Sequence, residues 1–484
     1  MATQETAAAD SGTAPTVKLS TLALMGMVVG SMVGAGVFTL PGRFARETGV
    51  LGALIAWTIA GTGMLMLAFV FQLLAIRKPE LDSGVFAYAK AGFGEYLGFF
   101  SAFGYWASAC AGNTFYWVFI MSTLTGLGVG GLGAGDTVTA IAISSVGLWS
   151  FFFLIRRGVK GAAFINMVVT IAKVVPIIVF VLLCLFVLDF DALAENWGGA
   201  DYAGSLFEQV RGTMLVTVFV FLGVEGASVY SRHAKSREDV GRATVLGFLS
   251  VFAIFSSVTI VSYGVMPMGE IAELDQPSMA GVLEHAMGPW GRWFVSLGLI
   301  ISVLGAYLAW SLMAAEVLSV AAADRDMPRF LAKTNTADVP VNAVLLSSSM
   351  VQTMLIVLYF AEDALNLALD LTSALTLIPF FFAALYAGKV VRAREGYRPG
   401  EKLGRDPIVA VLAIVYTLFL IFAAGLHFIL LASIVYAPAT LLFVMARREQ
   451  GRRLFSPGEL VILAVSVTGA VVGLVGLATG WIQL

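Results

Sequence analysis

The chain has 484 residues, of which 59% are hydrophobic and 12% charged, and its mean hydropathy is +0.90. Soluble domains carry about 25% charged and roughly 45–50% apolar residues, so a soluble globular protein is excluded; the apolar residues fall in runs of about 20. The net charge of −2 selects no partner, which leaves the placement of the charges as the informative quantity.

Residues 1–20 are polar and small, with Lys18 the one basic side chain. They lack the basic, apolar and cleavage regions of a signal peptide and are expected to form an uncleaved cytoplasmic tail. Apolar runs bounded by charge or turn clusters then predict thirteen spans: 21–41, 50–76, 95–125, 137–155, 161–188, 207–231, 243–266, 289–322, 341–360, 364–388, 407–424, 426–446 and 459–480. With the N-terminus in the cytoplasm, successive loops alternate between rich and poor in Lys and Arg. Of the 29 basic residues 24 then lie inside; Arg43, Arg46, Arg211 and Arg292 lie outside, and Lys173 alone falls within a span. The outer loops 188–201 and 269–276 are acidic or neutral, and the second is a candidate surface helix; 395–406 reads as an ordinary inner loop. Cys110 and Cys184 sit in separate spans and offer neither a disulfide framework nor metal-ligand spacing, so no metal or cofactor is expected.

Span one contains "GSMVGAGVFTLPG" (30–42), four glycines and a proline where a continuous apolar helix is expected. Irregular backbone at membrane depth survives only where protein buries it or a cavity adjoins it. Span six contains "FLGVEGASVY" (221–230), in which Gly223 and Gly226 flank Glu225. Paired interruptions five helices apart point to an inverted repeat with a binding site at the midplane, because a unit with an odd number of spans must insert the second time in reverse. On this reading 21–188 is the first five-helix repeat, 207–391 the inverted second one, and 407–484 holds three additional spans. Close helix packing is the competing explanation for Gly26, Gly30 and Gly34, which are spaced by four. It does not require an acid in span six, which costs about 2.5–3.5 kcal/mol at membrane depth.

The first-span stretch resembles a motif of the amino acid–polyamine–organocation superfamily. "KPELDSGVFAYAKAGFGEYLGF" (78–99) and "FVFLGVEGASVYSRHAKSREDVGRATVLGF" (219–248) resemble its basic amino acid antiporter branch, most of all the bacterial arginine–ornithine antiporters. "PSMAGVLEHAMGPWG" (277–291), "LGAYLAWSLMAAEVL" (304–318) and "VPVNA" (339–343) extend the likeness over nearly the whole chain. The resemblance implies an all-α polytopic membrane protein of the LeuT-like fold, a 5+5 inverted repeat with broken spans one and six in about thirteen helices. It also implies a multi-pass protein of the cell inner (plasma) membrane that works as a transporter rather than an enzyme. Cationic amino acids and the lipid bilayer are its expected partners; nucleic acid is not, and a homodimer is compatible with the family.

A free amino acid presents a carboxylate, an ammonium and a side chain. The carboxylate suits the amides of Gly34, Ala35 and Gly36, with Met32 at the edge of the break, at the positive end of a half-helix. The ammonium suits freed carbonyls at Phe219, Leu222 and Gly223. By family pattern, aromatics on spans three, six and eight frame the side chain: Tyr105 and Trp310 match two of them, and Phe219 stands where the third is usually Trp. Guanidinium pairs less well with Phe than with Trp, so this departure bears on arginine more than on cationic amino acids in general. Asn113 matches a polar position for the distal part of the substrate. Glu225 reads as a gate or proton-responsive carboxylate, or as a neutral acid capping freed amides. Lys173 would stand in for sodium by tying spans one, five and eight together, or would reach the inner interface. Glu316 would help select cations or snorkel inward, and Trp310 could equally be a membrane-interface residue.

The expected activity is therefore sodium-independent exchange of cationic amino acids by alternating access, arginine for ornithine by resemblance. Proton-coupled import and amino acid–amine exchange remain alternatives within transport, and a nutrient-sensing receptor on a transporter scaffold is the alternative from another class.

Overall fold

A computed structural model describes residues 21–81, 85–158, 162–200, 202–225 and 237–482. Every regular element among them is helical. Eight of these helices are long and apolar enough to cross a membrane. The tail 1–20, Gly226 and His233 lie outside the described residues.

The first expected span is three pieces: α1 (Thr21–Met32), a 3₁₀ turn (Gly36–Thr39) and α2 (Leu40–Glu47). There follow α3 (Val50–Arg77), the short α4 (Val85–Phe93), α5 (Glu95–Gly126), α6 (Val138–Arg156) and α7 (Ala162–Phe186). The segment 188–201, expected as an outer loop from its composition, contains the short helix α8 (Phe190–Glu195). Just beyond α8, the carbonyls of Asn196 and Trp197 accept from Val50 N and Leu51 N at 2.9 and 3.1 Å, two amides that the start of α3 leaves without helical partners. The segment thereby caps α3.

Span six begins with α9 (Leu206–Gly212), capped by the reciprocal Ser205 and Glu208 bonds, and α10 (Met214–Phe221). Next come α11 (Arg237–Tyr263), the short surface helix α12 (Met268–Glu273) within the expected acidic loop, α13 (Ser278–Met287), α14 (Pro289–Ala323), α15 (Val341–Leu358) and α16 (Ala364–Ala393). The α17 segment (Asp406–Glu449) is two helices meeting at Gly425, whose φ of 74° and ψ of 169° are non-helical, and α18 (Pro457–Ala478) ends the bundle.

The helix α5 organises the interior. It packs most extensively on α16 and α14, and every residue from Gly98 to Thr123 is buried. A helix enclosed by protein on all sides need not be uniformly apolar, and α5 accordingly carries Ser101, Ser108, Asn113 and Thr114 in that run.

Ion pairs concentrate at the ends of the helices. At the C-terminal end of α3, the Arg77 guanidinium lies 3.8 Å from the Tyr397 ring and pairs with Glu401 at 2.7 Å, while Lys78 meets Glu395 at 2.7 Å. The 395–406 segment is therefore clasped to α3 and is more than a connecting loop. Nearby, Lys90 Nζ of α4 lies 2.7 Å from Asp326 Oδ1 in the turn after α14. Burial pushes the Asp326 carboxyl up to about 6, outweighing the pull of Lys90 in the other direction.

Candidate substrate site

The first break follows from its residues. Glycine is a poor helix former, and Val33, Gly34 and Ala35 leave the helical path between α1 and the 3₁₀ turn. Val33 N still donates to Val29 O at 2.8 Å. Beyond it, the amides of Gly34, Ala35 and Gly36 donate to no group among the described residues. Three consecutive free N–H groups at the start of a helical segment form the positive end of its dipole, a ready place for a carboxylate.

The second break lies directly against the first. Helix α10 stops at Phe221, and Gly223 takes a φ of +102°, a left-handed conformation that disfavours any side chain. A methyl group there would lie 2.6 Å from the carbonyl oxygen of Ser31. Ser31 Oγ in turn donates to Gly223 O at 3.1 Å, so the last turn of α1 holds the backbone of span six. The same intimacy recurs at Gly36, where a methyl would fall 2.6 Å from Phe219 Cδ1 and 2.8 Å from Val220 Cγ1.

Glu225, 3% exposed, closes the described part of span six. Its Oε2 accepts from Gly223 N at 3.1 Å and its Oε1 from the Tyr105 hydroxyl at 2.6 Å. One carboxylate thus caps the unwound segment and joins it to α5. The carboxylate is placed to cap the freed Gly223 amide, as one of its two expected roles requires.

Between the breaks lies a cavity with about 410 Å³ of empty space, its mouth included. Met32, Gly34, Ala35 and Gly36 form one wall, Phe219 and Leu222 another, and Trp310 of α14 reaches it from a third side. It offers free amides at one end and aromatic rings as walls, and no ionised side chain among the described residues lines it. Phe219 is braced edge-on by Phe115, with ring centroids 4.9 Å apart.

A family model described as "Amino acid permease" matches residues 19–441. The chain belongs to the amino acid permease family. Among relatives of this permease, an arginine/ornithine antiporter of Pseudomonas aeruginosa is 47% identical over 96% of the chain and 98% of its own length. An L-lysine transport protein of Corynebacterium glutamicum is 38% identical, with all of both chains covered. An arginine/ornithine antiporter of Latilactobacillus sakei is 35% identical over 95% of the chain and 97% of its own length. The permease is thus an integral membrane protein of the amino acid–polyamine–organocation superfamily, as the motifs indicate.

The remaining predicted residues sit around the cavity rather than on its walls. Tyr105 lies behind it on Glu225, with Met313 Sδ 3.5 Å from the same hydroxyl. Asn113, 1% exposed, donates to Ser311 Oγ at 3.2 Å, and its Oδ1 has no partner among the described residues, one residue along α5 from the cavity wall at Gly112. Lys173, 5% exposed, turns inward and donates to the Gly30 carbonyl, which attaches α7 to the last turns of α1. Glu316 is exposed on α14 and lines no part of the cavity.

Seven wall residues were not anticipated, four of them bearing hydroxyls: Ser31, Ser108, Tyr116 and Thr372. The α5 pair had a usable signal, because Tyr105 and Asn113 are eight positions apart, and the face they define passes through Ser108, Ala109, Gly112 and Tyr116. Thr372 had none; α16 joins the site only through tertiary packing.

Proposed function

We propose that this permease is a secondary transporter that exchanges cationic amino acids, arginine for ornithine, by alternating access and without sodium. The observation that carries the proposal is the juxtaposition of the free amides at Gly34–Gly36 with a cavity walled by Phe219 and Trp310. The substrate carboxylate meets those amides, and its cationic side chain lies along the rings, an interaction of about 2 kcal/mol once desolvated. The α-ammonium finds carbonyl oxygens at the second break, where Leu222 O accepts from no donor among the described residues. Exchange of two substrates of charge +1 moves no net charge and needs no ion gradient. The relatives named as arginine/ornithine antiporters support this pair of substrates.

In the same reading, spans one to five and six to ten are inverted repeats, the N-terminus is cytoplasmic and the protein resides in the inner membrane. Spans one, two, six and seven rock as a bundle, with Glu225 as the coupling element between α10 and α5. Lys173 holds the end of α1 where an ion would otherwise be required. Its contact with Gly30 supports that role. Proton-coupled import is the second reading, favoured by one observation: Glu225 is a carboxylate buried in the second unwound segment and bonded to Tyr105 of α5.

Liposomes holding the purified protein and preloaded with ornithine should accumulate labelled arginine, while empty ones take up little. Replacing sodium by potassium should leave the rate unchanged. Equal uptake by empty and preloaded liposomes eliminates exchange; uptake driven by an imposed proton gradient in empty liposomes would favour import instead.

A further inference from the structure

The walls of the cavity carry four hydroxyl-bearing side chains, and three of them are engaged. Ser31 Oγ donates to Gly223 O, Ser108 Oγ to Thr372 O at 2.8 Å, and Thr372 Oγ1 to Ala368 O at 2.7 Å. The fourth is Tyr116, on α5 one turn beyond Gly112. This residue is 5% exposed, its ring is held edge-on by Phe115 at 6.0 Å, and its hydroxyl bonds to no described residue. Its oxygen is not sealed by protein and opens on the cavity, so whatever occupies that space can take the bond.

The direction of this hydroxyl indicates what it serves. A methyl group on Gly34 would lie 3.6 Å from Tyr116 Oη, so the phenol points into the space over the first break. That space is bounded on its other side by the amides of Gly34, Ala35 and Gly36, all donors. A phenol O–H is also a donor at neutral pH. Four donors thus border this space, with the Met32 carbonyl 3.9 Å from the same methyl position as an acceptor beside them; a carboxylate suits the donors, because hydrogen bonds to an ionised acceptor are the strong ones.

We infer that Tyr116 Oη donates to the α-carboxylate of the bound amino acid, and that this bond makes the site select intact amino acids over their decarboxylated amines. The inference rests on the exchanger reading and deepens it. Phe219 and Trp310 contact the cationic end that an amino acid and its amine share, so neither ring distinguishes the two. Tyr116 and the three amides meet the only group by which they differ.

The test measures inhibition of exchange in proteoliposomes by arginine and agmatine, and by ornithine and putrescine, in wild type and Tyr116→Phe. That substitution keeps the ring and its packing, and an unchanged size-exclusion profile verifies folding. Amino acid affinity should fall about 10- to 100-fold, the usual effect of one hydrogen bond to a charged group, and amine affinity should change less than about twofold. An amino acid affinity within about threefold of wild type, or a parallel fall for the amines, overturns the inference; the second result would make Tyr116 an acceptor for the shared ammonium. Failure of the wild-type protein to exchange arginine or ornithine is instead a failure of the exchanger reading, and the comparison is then made with the amino acid that it does exchange.

Discussion

The two breaks in the membrane interior solve one problem in opposite ways. At Gly34–Gly36 the backbone abandons its hydrogen bonds and nothing described nearby replaces them: three amides face the cavity. At Leu222–Glu225 the backbone is stitched up from within. Gly223 donates to the Glu225 carboxylate and accepts from Ser31, and Val224 N reaches Phe221 O at 3.2 Å. An unsatisfied polar group in hydrocarbon is expensive, so a break left open implies that something else arrives to close it. The first break is open to a ligand along three amides. The second is tied by side chains from α1 and α5 and leaves the Leu222 carbonyl open.

This contrast can be broken by adding one methyl group at a time. Gly223→Ala should do the greatest damage, because the left-handed φ and the Ser31 carbonyl 2.6 Å away are both backbone constraints that no rotamer change relieves. A loss of about 2–4 kcal/mol and abolished exchange are expected, read as the apparent melting temperature in detergent and as liposome uptake. Gly36→Ala should come next: its methyl meets the Phe219 ring and Val220, side chains that can shift, at an overpacking cost of about 1–3 kcal/mol and with exchange slowed. Gly34→Ala separates stability from binding. Its methyl has 3.6 Å to the nearest atom, Tyr116 Oη, so the melting temperature should hold while substrate affinity falls about tenfold or less, since the methyl occupies carboxylate space. Equal effects of the Gly34 and Gly36 variants on stability would show that the first break is packed rather than open.

The rim formed by α4 and the turn after α14 sharpens the comparison, because there a buried acid is met by a cation instead of by backbone. Lys90→Ala leaves the Asp326 carboxylate, 7% exposed, without its ammonium. At pH 8 Asp326 is ionised, since its carboxyl titrates at about 6, and the variant should lose about 1–2 kcal/mol. Because that carboxyl lies above its ordinary 3.8, the folded protein holds the proton more tightly than the unfolded chain. Its contribution to stability is complete below pH 3.8 and is lost as pH rises through about 6. The penalty of Lys90→Ala should therefore shrink at pH 5. A difference in melting temperature between variant and wild type that is the same at pH 5 and pH 8 would show that Asp326 carries no charge for Lys90 to balance.

Much of the architecture was legible in the sequence because lipid imposes a one-dimensional rule: apolar runs of spanning length, and basic residues on one side. The same rule made the breaks visible, since glycines and an acid inside such runs violate it, and it located Gly34, Gly36, Gly223 and Glu225 without coordinates. It also isolated Lys173 as the one basic residue within a span, although its partner, the Gly30 carbonyl, was not legible. Backbone carbonyls carry no sequence signature.

Tertiary structure alone decided which side chains converge on the cavity. Thr372 reaches it from α16 and Tyr116 from α5, while Tyr105 is drawn behind it onto Glu225. Helical periodicity states which residues of one helix share a face, but which face meets which depends on packing between helices far apart in the chain. In this protein the positions of the breaks are local properties of glycine and charge in an apolar run; the shape of the space between them is a property of the assembled bundle.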